Sequence, residues 1–480
     1  MEHPTKPRPL VHPLIRKSAR WLCVFAALQF TTAPAAQSQS VTLTVAQVKS
    51  MALEALDTGN PTLALKLSEG LLIADSKDTY AFYIRARANQ LLGRHRDGRR
   101  AASRAFRFAK TREDRFATAQ LAARLAYDEN RLTLSQLWLR RSANSAPTPQ
   151  HENQLARDYR RLRAENPWNT QFRFSTAPSS NVNAGADSTE FIIDGQPEVA
   201  VISADGLALS GTVAIADLST SYRLRADKNS AVSLLARLYS RQVFLSSAAH
   251  QSLLSPAGVP ISGNRDFSAT TAQISLDYFF RPGASRNTMS LRGDIGRNWY
   301  GGAPISNFAR LTLGRTRQIS KVTSLTFSAS YEYRTPLAAF RAPSDIFNLR
   351  ANYGHRFGND TTLRLGLDLK KTQSSRVNTA STGATAYLSL DLGKAIGPAR
   401  VSLSVGTSFL DFPTYNSGFV VAANGRRDTT VFTSATFTFD TLDYAGFMPT
   451  VTLRAQQSRS NISRFDTTEL SVVVGIRSRF

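Results

Sequence analysis

The eleven residues from Leu470 to Phe480 constrain the fold of this chain more than any other stretch. Counted by twos, Leu470, Val472, Val474, Ile476, Ser478 and Phe480 fall on one side, and Ser471, Val473, Gly475, Arg477 and Arg479 on the other. Successive side chains of a strand point to opposite faces. The segment is therefore expected to be a strand with one almost wholly apolar face and one that carries two arginines. It asks for an apolar medium on one side and water on the other.

The same alternation recurs upstream, beginning at Trp168. Leu363, Leu365, Leu367 and Leu369 alternate with Arg364, Gly366, Asp368 and Lys370; Leu325, Phe327, Ala329, Tyr331 and Tyr333 alternate with Thr326, Ser328, Ser330, Glu332 and Arg334. Val401 to Phe409 and Val431 to Phe439 behave alike. The polar face is too charged for a sandwich core and suits a wet lumen, while the apolar face suits lipid. From Asn169–Ala177 onward the pattern predicts about fourteen strands, an even number as single-chain bacterial barrels require. Short turns are expected at Ala226–Asn229, Pro282–Arg286, Gln318–Lys321, Gly358–Asp360, Lys394–Pro398 and Thr441–Gly446. Longer loops are expected at Asn183–Asp205, Ser247–Asn264, Thr335–Ser344, Lys371–Gly383, Pro413–Arg427 and Gln456–Phe465, with only Gly301–Pro304 out of phase. A soluble β-solenoid is the alternative, and it accounts for neither the loop phase nor the terminal aromatic. The last strand resembles the C-terminal strand of bacterial outer-membrane barrels. That resemblance implies that Phe480, with Ile476 and Val474 on its face, is the signal read by the barrel-assembly machinery.

The chain has 480 residues, a formal charge of +24 and one cysteine. No run reaches the ~18 apolar residues of a membrane-spanning helix. Trp21 to Phe30 follows Lys6, Arg8, Arg16, Lys17 and Arg20 and precedes Ala33-Pro34-Ala35-Ala36, the pattern of a cleaved secretory signal over 1–36. Cys23 would leave with it, so the mature chain would carry neither disulfides nor thiolate chemistry. Export also removes nucleic acid as the partner for the basic excess. Lipopolysaccharide, outer-membrane lipid or an acidic cargo takes its place.

Between the signal and the strands, residues 41–165 read as helical. Gly59 and Gly93 lie thirty-four residues apart; Ala52 and Ala86 precede them by seven, and Ala64 and Gly98 follow them by five. A third copy at the same spacing, Gln120, Tyr127 and Leu132, is degraded. Small residues let paired helices approach, and the spacing resembles tetratricopeptide repeats, with a plain helical bundle as the alternative. A final helix is expected over His151–Ala164. Arg94, Arg96, Arg99, Arg100, Arg104 and Arg107 form a basic run that is either a docking surface or a solvated face.

Little catalytic chemistry is visible. His250 and His355 are the barrel's two histidines, His355 falls in the outward register, and no serine–carboxylate partner, zinc spacing or phosphate loop accompanies them. The expectation is a non-enzyme with no cofactor, no metal and no nucleic-acid partner.

The linker and first strand, Pro167 to Gly185, contain Trp168, Pro178, Asn181 and Asn183. By residue chemistry alone Asn181 and Asn183 form a turn that bonds its own backbone. The stretch is similar to the opening of the barrel in the surface lipoprotein assembly modulators, the Slam family. In order of parts the resemblance covers nearly the whole mature chain. It implies an α+β multidomain protein: periplasmic tetratricopeptide-like hairpins over 41–165, then an outer-membrane barrel over 168–480 in a Gram-negative bacterium. It implies a translocon whose helices dock a client lipoprotein or secreted protein and whose barrel exports it, through the lumen or a seam between first and last strands. The first strand is expected to be short and weakly paired. The rival is an exopolysaccharide export porin of the PgaA type, which also joins such repeats to a barrel. The barrel segment holds 32 basic and 21 acidic residues, an excess that disfavours a cationic glycan.

Overall fold

A computed structural model describes residues 43–255, 258–283, 286–337, 342–417, 420–442 and 447–478. The signal segment 1–36 and the terminal Phe480 lie outside the described residues.

Seven helices come first: α1 (Val45–Asp57), α2 (Pro61–Ala74), α3 (Thr79–Leu91), α4 (His95–Phe108), α5 (Arg112–Asp128), α6 (Leu132–Ala143) and α7 (Pro149–Glu165). Side-chain oxygens begin most of them. Thr44, Asn60, Asp78, Thr111 and Thr148 each accept a first-turn amide, which satisfies donors the helix leaves open. Glycine ends the first two hairpins' leading helices, with φ of +74° at Gly59 and +71° at Gly93.

The third hairpin corrects the expected register. Its left-handed residue is Asn130 (φ +58°), three positions beyond Tyr127. The amides of Asn60, Arg94 and Arg131 bond the carbonyls of Ala55, Asn89 and Ala126 at 2.7, 2.8 and 2.9 Å, so the three turns share one C-terminal capping pattern. Counted from Asn130, the small positions are Ala123 and Ser135, both buried, and the Ser135 hydroxyl donates to the Ala123 carbonyl at 2.8 Å. The third signature is displaced rather than degraded, because α5, at 17 residues, is longer than α3 at 13. In the second hairpin a methyl on Gly98 would lie 3.0 Å from the Ala86 carbonyl oxygen, so glycine allows the helices their close approach without displacing a neighbour. Ala52, Ala64 and Ala86 are fully buried.

Strands follow: β1 (Trp168–Ser179), a small hairpin of β2 (Glu190–Ile193) and β3 (Gln196–Val201), β4 (Gly211–Ala226), β5 (Ser230–Leu245), β6 (Ala269–Phe280), β7 (Thr288–Tyr300), β8 (Ala303–Gln318) and β9 (Thr323–Pro336). The chain continues through β10 (Ser344–Arg356), β11 (Thr362–Ser374), β12 (Ser381–Asp391), β13 (Arg400–Phe412), a second small hairpin of β14 (Tyr415–Ser417) and β15 (Val420–Ala422), then β16 (Arg426–Thr438), β17 (Phe447–Ser460) and β18 (Thr467–Ser478). A short helix, α8 (Ser247–Ser252), lies between β5 and β6. Leaving out the two hairpins, fourteen antiparallel strands close a barrel in which β1 pairs with β4 on one side and β18 on the other. The expected fourteen-strand barrel is the one observed.

Leucines 365, 367 and 369, Val472, Val474 and Ile476 are exposed on its outside, as an apolar belt requires. Three inward rings lie over register-opposed glycines: Phe308 over Gly296, Tyr387 over Gly366 and Phe432 over Gly406. The connections depart from the expected lengths in one respect. Residues 375–380 and 461–466 are no longer than the turn at 392–399, because β11, β12 and β17 continue into segments whose polar composition reads as loop. Extended ladders can project beyond an apolar belt when their side chains are solvated.

Candidate functional site

Four features meet around β1: an interrupted strand pairing, a loop folded over it, the root of the helical domain, and a polar bore.

Toward β4, β1 pairs without interruption from Trp168↔Tyr222 to Ser179↔Gly211. Toward β18 the described register runs Phe174↔Ile476, Ser175↔Gly475 and Thr176↔Val474, then lapses until Ser179↔Ser471. The lapse falls on Ala177 and Pro178, and proline has no amide to give to a ladder. The first strand is thus not short, at 12 residues, but its pairing with the last is interrupted at these two residues.

Above the lapse the first loop is stitched to the start of β18. Asp187 accepts the Thr468 amide and hydroxyl, both at 2.7 Å, and its own amide donates to the Asp466 carbonyl at 2.9 Å. Leu470 N–H donates to Ser180 Oγ (3.2 Å), and Ser179 Oγ donates to Glu469 (3.2 Å). At the β2–β3 tip, Asp194 accepts from Asn461 Nδ2 (2.8 Å) and Asn424 Nδ2 (3.2 Å). Asp194 and Gly195 both have positive φ, as a two-residue hairpin turn requires.

Asn181 and Asn183 hold the base of this loop. Asn181 exchanges two hydrogen bonds with the backbone of Gly185, each 2.8 Å. Asn183 donates to the carbonyls of Asp205 (3.0 Å) and Leu207 (2.7 Å) and accepts from the Leu209 amide (2.9 Å). The turn therefore binds a distant segment of the loop, residues 205–209, and not only its own backbone. Gly185 is obligatory: a methyl there would sit 2.0 Å from the Leu207 carbonyl oxygen. Val182, between the asparagines, is buried with Leu209, Val243, Leu245 and Phe267, and Arg241 on β5 donates to the Val182 carbonyl at 2.5 Å. A second apolar cluster joins Phe191, Ile193 and Ile202 to Ala422 and Ile462. Beside it the Arg426 guanidinium packs on the rings of Phe412, Tyr415 and Phe465. Burial, with Arg426 nearby, draws the guanidinium of Arg464 below its ordinary value.

At the opposite end, the helical domain is rooted on β1 and β4. Arg223 of β4 donates through Nη2 to the carbonyls of Ala164 (2.5 Å), Glu165 (3.2 Å) and Asn166 (3.4 Å), where the end of α7 leaves acceptors open. Asn166 reaches back to Gln136 (2.8 Å) and Thr133 (3.1 Å). Trp168 packs edge-on against Tyr222, ring centroids 4.9 Å apart. Of the expected basic run, Arg99 is spent on an ion pair with Glu129 at 2.6 Å and Arg104 lies over the Phe82 ring.

The bore contains a cavity of about 860 Å³ on the far wall, β5 to β11. Its arginines are matched with acids: Arg237 with Asp217 (2.7 Å), Arg310 with Glu332 (3.2 Å), Arg350 with Asp368 (2.7 Å by Nε), and Arg292 with Asp277. Along β12 to β17 the pairs become hydroxyls, among them Ser404–Ser389 (3.0 Å) and Thr436–Thr452 (2.9 Å). The basic excess of the barrel segment is therefore not an unopposed lining of this cavity. His355 shares a hydrogen bond with Thr323 Oγ1 (2.9 Å) between Tyr353 and Phe357.

The structure brings Trp168, Pro178, Asn181 and Asn183 into the region around β1 and sets Val474 and Ile476 on the outer face of its partner. The glycines and alanines at 52–98 belong to the helical hairpins. Sequence reasoning missed Gly185, Asp187, Arg223 and Arg241, whose partners lie far along the chain; only the proximity of Gly185 to the asparagines hinted at a role.

A closed barrel with an apolar outer belt, a polar bore and a helical domain on its first strand defines a transmembrane β-barrel of the outer-membrane type. No protein-family model matches the chain, and no curated protein matches it in sequence. Among solved structures the barrel is similar to Pseudomonas putida OprB, at 9% identity over 67% of this chain and 96% of that one, with a TM-score of 0.39. It is also similar to OmpTΔL8, a loop-deletion mutant of a Vibrio cholerae outer membrane protein, at 7% identity over 65% and 99%, with a TM-score of 0.33. The helical part is similar to the Yersinia enterocolitica type III secretion chaperone SycD in complex with a peptide of the translocator YopD, at 16% identity over 25% and 93%, with a TM-score of 0.23.

Proposed function

We propose that this protein is an outer-membrane translocon of the kind the Slam resemblance implies. Its helical domain lies in the periplasm and docks a client lipoprotein or secreted protein, which leaves at the seam between β1 and β18. The observation that carries this reading is that the helical domain is fastened at the start of β1, the strand whose pairing with β18 lapses toward its other end, so a docked client sits at the foot of the seam. A strand edge that lacks part of its ladder is the place where a barrel wall opens at least cost. A second reading, export of a polysaccharide down the bore, draws support from the polar cavity of about 860 Å³.

A staple across the seam separates them. A methyl built on Gly475 lies 3.3 Å from Ser175 Cβ, close to the ~3.8 Å that a disulfide spans. Oxidised Ser175→Cys/Gly475→Cys protein should block surface display of a co-expressed, tagged candidate lipoprotein, scored by protease shaving of intact cells, and reduction should restore it. Display that continues with the staple shown closed would refute exit at the seam. Export of a co-produced polysaccharide through the stapled barrel, with no lipoprotein displayed even when reduced, would favour the second reading.

A further inference from the structure

The outer wall of the barrel is not a uniform apolar cylinder. Across β6 to β11 it carries a depression of about 570 Å³ with almost wholly apolar walls, among them Tyr278, Leu313, Phe327 and Leu349. Its floor is low because Ala329 and Ala351 stand where neighbouring strands carry leucine and phenylalanine. At one edge stands Arg315, in the outward register of β8 and exposed. Arg315 is opposed by Met289 on β7 and Phe327 on β9, and Met289 is opposed by Phe280, the last residue of β6. The guanidinium is thus level with the strand ends on the side of the helical domain. Arg317, also outward and exposed, follows one row nearer that end. Among the described residues neither arginine has a carboxylate partner.

A guanidinium in the lipid-facing register needs an anion or water, and a bare apolar face offers neither. Elsewhere in this barrel arginines are matched with acids, as Arg237, Arg310 and Arg350 are. We propose that the depression is a binding site for one anionic phospholipid of the periplasmic leaflet. An acyl chain would lie over Ala329 and Ala351, and the phosphate would sit between Arg315 and Arg317. The charge and the apolar hollow are adjacent, which matches the two parts of such a lipid and distinguishes the site from a general basic rim. Assignment to the periplasmic leaflet rests on the orientation proposed above; binding itself does not.

The test uses the full-length protein in nanodiscs of phosphatidylethanolamine with a minor fraction of phosphatidylglycerol, followed by native mass spectrometry of the lipids retained. Wild-type protein should retain phosphatidylglycerol above its share of the bilayer. Arg315→Gln/Arg317→Gln should lower the relative affinity for phosphatidylglycerol by up to roughly thirtyfold, as loss of two interfacial cations predicts. Ala329→Leu/Ala351→Leu should lower it with both charges in place, while Lys371→Gln, at the other end of β11, should leave it unchanged. Heat-modifiable migration on mild-detergent gels identifies the folded barrel for each comparison. No enrichment in the wild type, or equal enrichment in the double-arginine variant, would overturn the proposal. Equal loss in Lys371→Gln would also overturn it, since the effect would then be one of net charge. None of these results depends on whether a client leaves at the seam, so this site and the translocon reading fail separately.

Discussion

Asp78 caps α3 through the amides of Tyr80 and Ala81 (2.8 and 3.1 Å) and pairs with Lys49 of α1 at 2.6 Å. Burial opposes its charge, but the Lys49 ammonium and the two amides outweigh it, so the carboxyl titrates below its ordinary value. A carboxylate with a lowered folded pKa contributes stability in full above its unfolded value, near pH ~3.9, and loses it as pH falls through the folded value. Asp78→Ala should therefore cost about 1–2 kcal/mol at neutral pH, measured by chemical denaturation. The gap to wild type should close only below about pH 4. A gap that stays constant down to pH 2 would show that the charge contributes nothing. At the same scale, Asn181 and Asn183 look like turn formers from their neighbours alone. Asn181 does bond its neighbour Gly185, but the role of Asn183 as a tie depends on Leu207 and Leu209, which no local pattern specifies.

The helical hairpins show what periodicity conveys and where it stops. Gly59 and Gly93 mark two turns openly because glycine is the residue that takes positive φ without strain. The third turn uses Asn130, which tolerates that conformation less well, and α5 is longer, so a fixed period of thirty-four lands on Tyr127. Asn130→Gly should stabilise the protein by about 0.5–1 kcal/mol, and Gly93→Ala should destabilise it by about 1–2 kcal/mol. Thermal melts followed by the helical circular-dichroism signal would check both, and an Asn130→Gly loss would contradict the shared turn geometry. Among strands, alternation makes the barrel legible because one face meets lipid and the other water, and the even strand count follows from closure. The lapse at Pro178 is half legible. Proline marks a ladder defect, but only the three-dimensional register tells which neighbour lacks its bond. Loop lengths misread at 371–383 and 456–465 share one cause: Ser, Thr and Gln serve a solvated ladder as readily as a loop.

At the scale of the whole molecule, the helices meet the barrel at Arg223, whose guanidinium bonds the carbonyls of Ala164, Glu165 and Asn166 and whose amide donates to the Pro167 carbonyl at 2.9 Å. Arg223→Ala removes the donor from three carbonyls, so the junction should weaken by about 1.5–3 kcal/mol, the range for hydrogen bonds to charged groups. Limited proteolysis should then cut near residues 165–168 faster while the barrel keeps its heat-modifiable migration; unchanged cleavage would mean that the Arg223 amide on Pro167 and the Arg163 bond to the Trp168 carbonyl hold the joint without the guanidinium. The tie between Asp187 and Thr468 has a further consequence, for the order of events in making the protein. Its partners are 281 residues apart, so nearly the entire barrel must exist before Asp187 has anything to grip. Contacts of such sequence separation form late, because the chain between them must first be organised. Until then the stretch from Asp187 to Asp194 lacks its ties to Asn461 and Thr468, open to any protease at hand, and a chain that stalls before its final strand carries a visible mark of being unfinished.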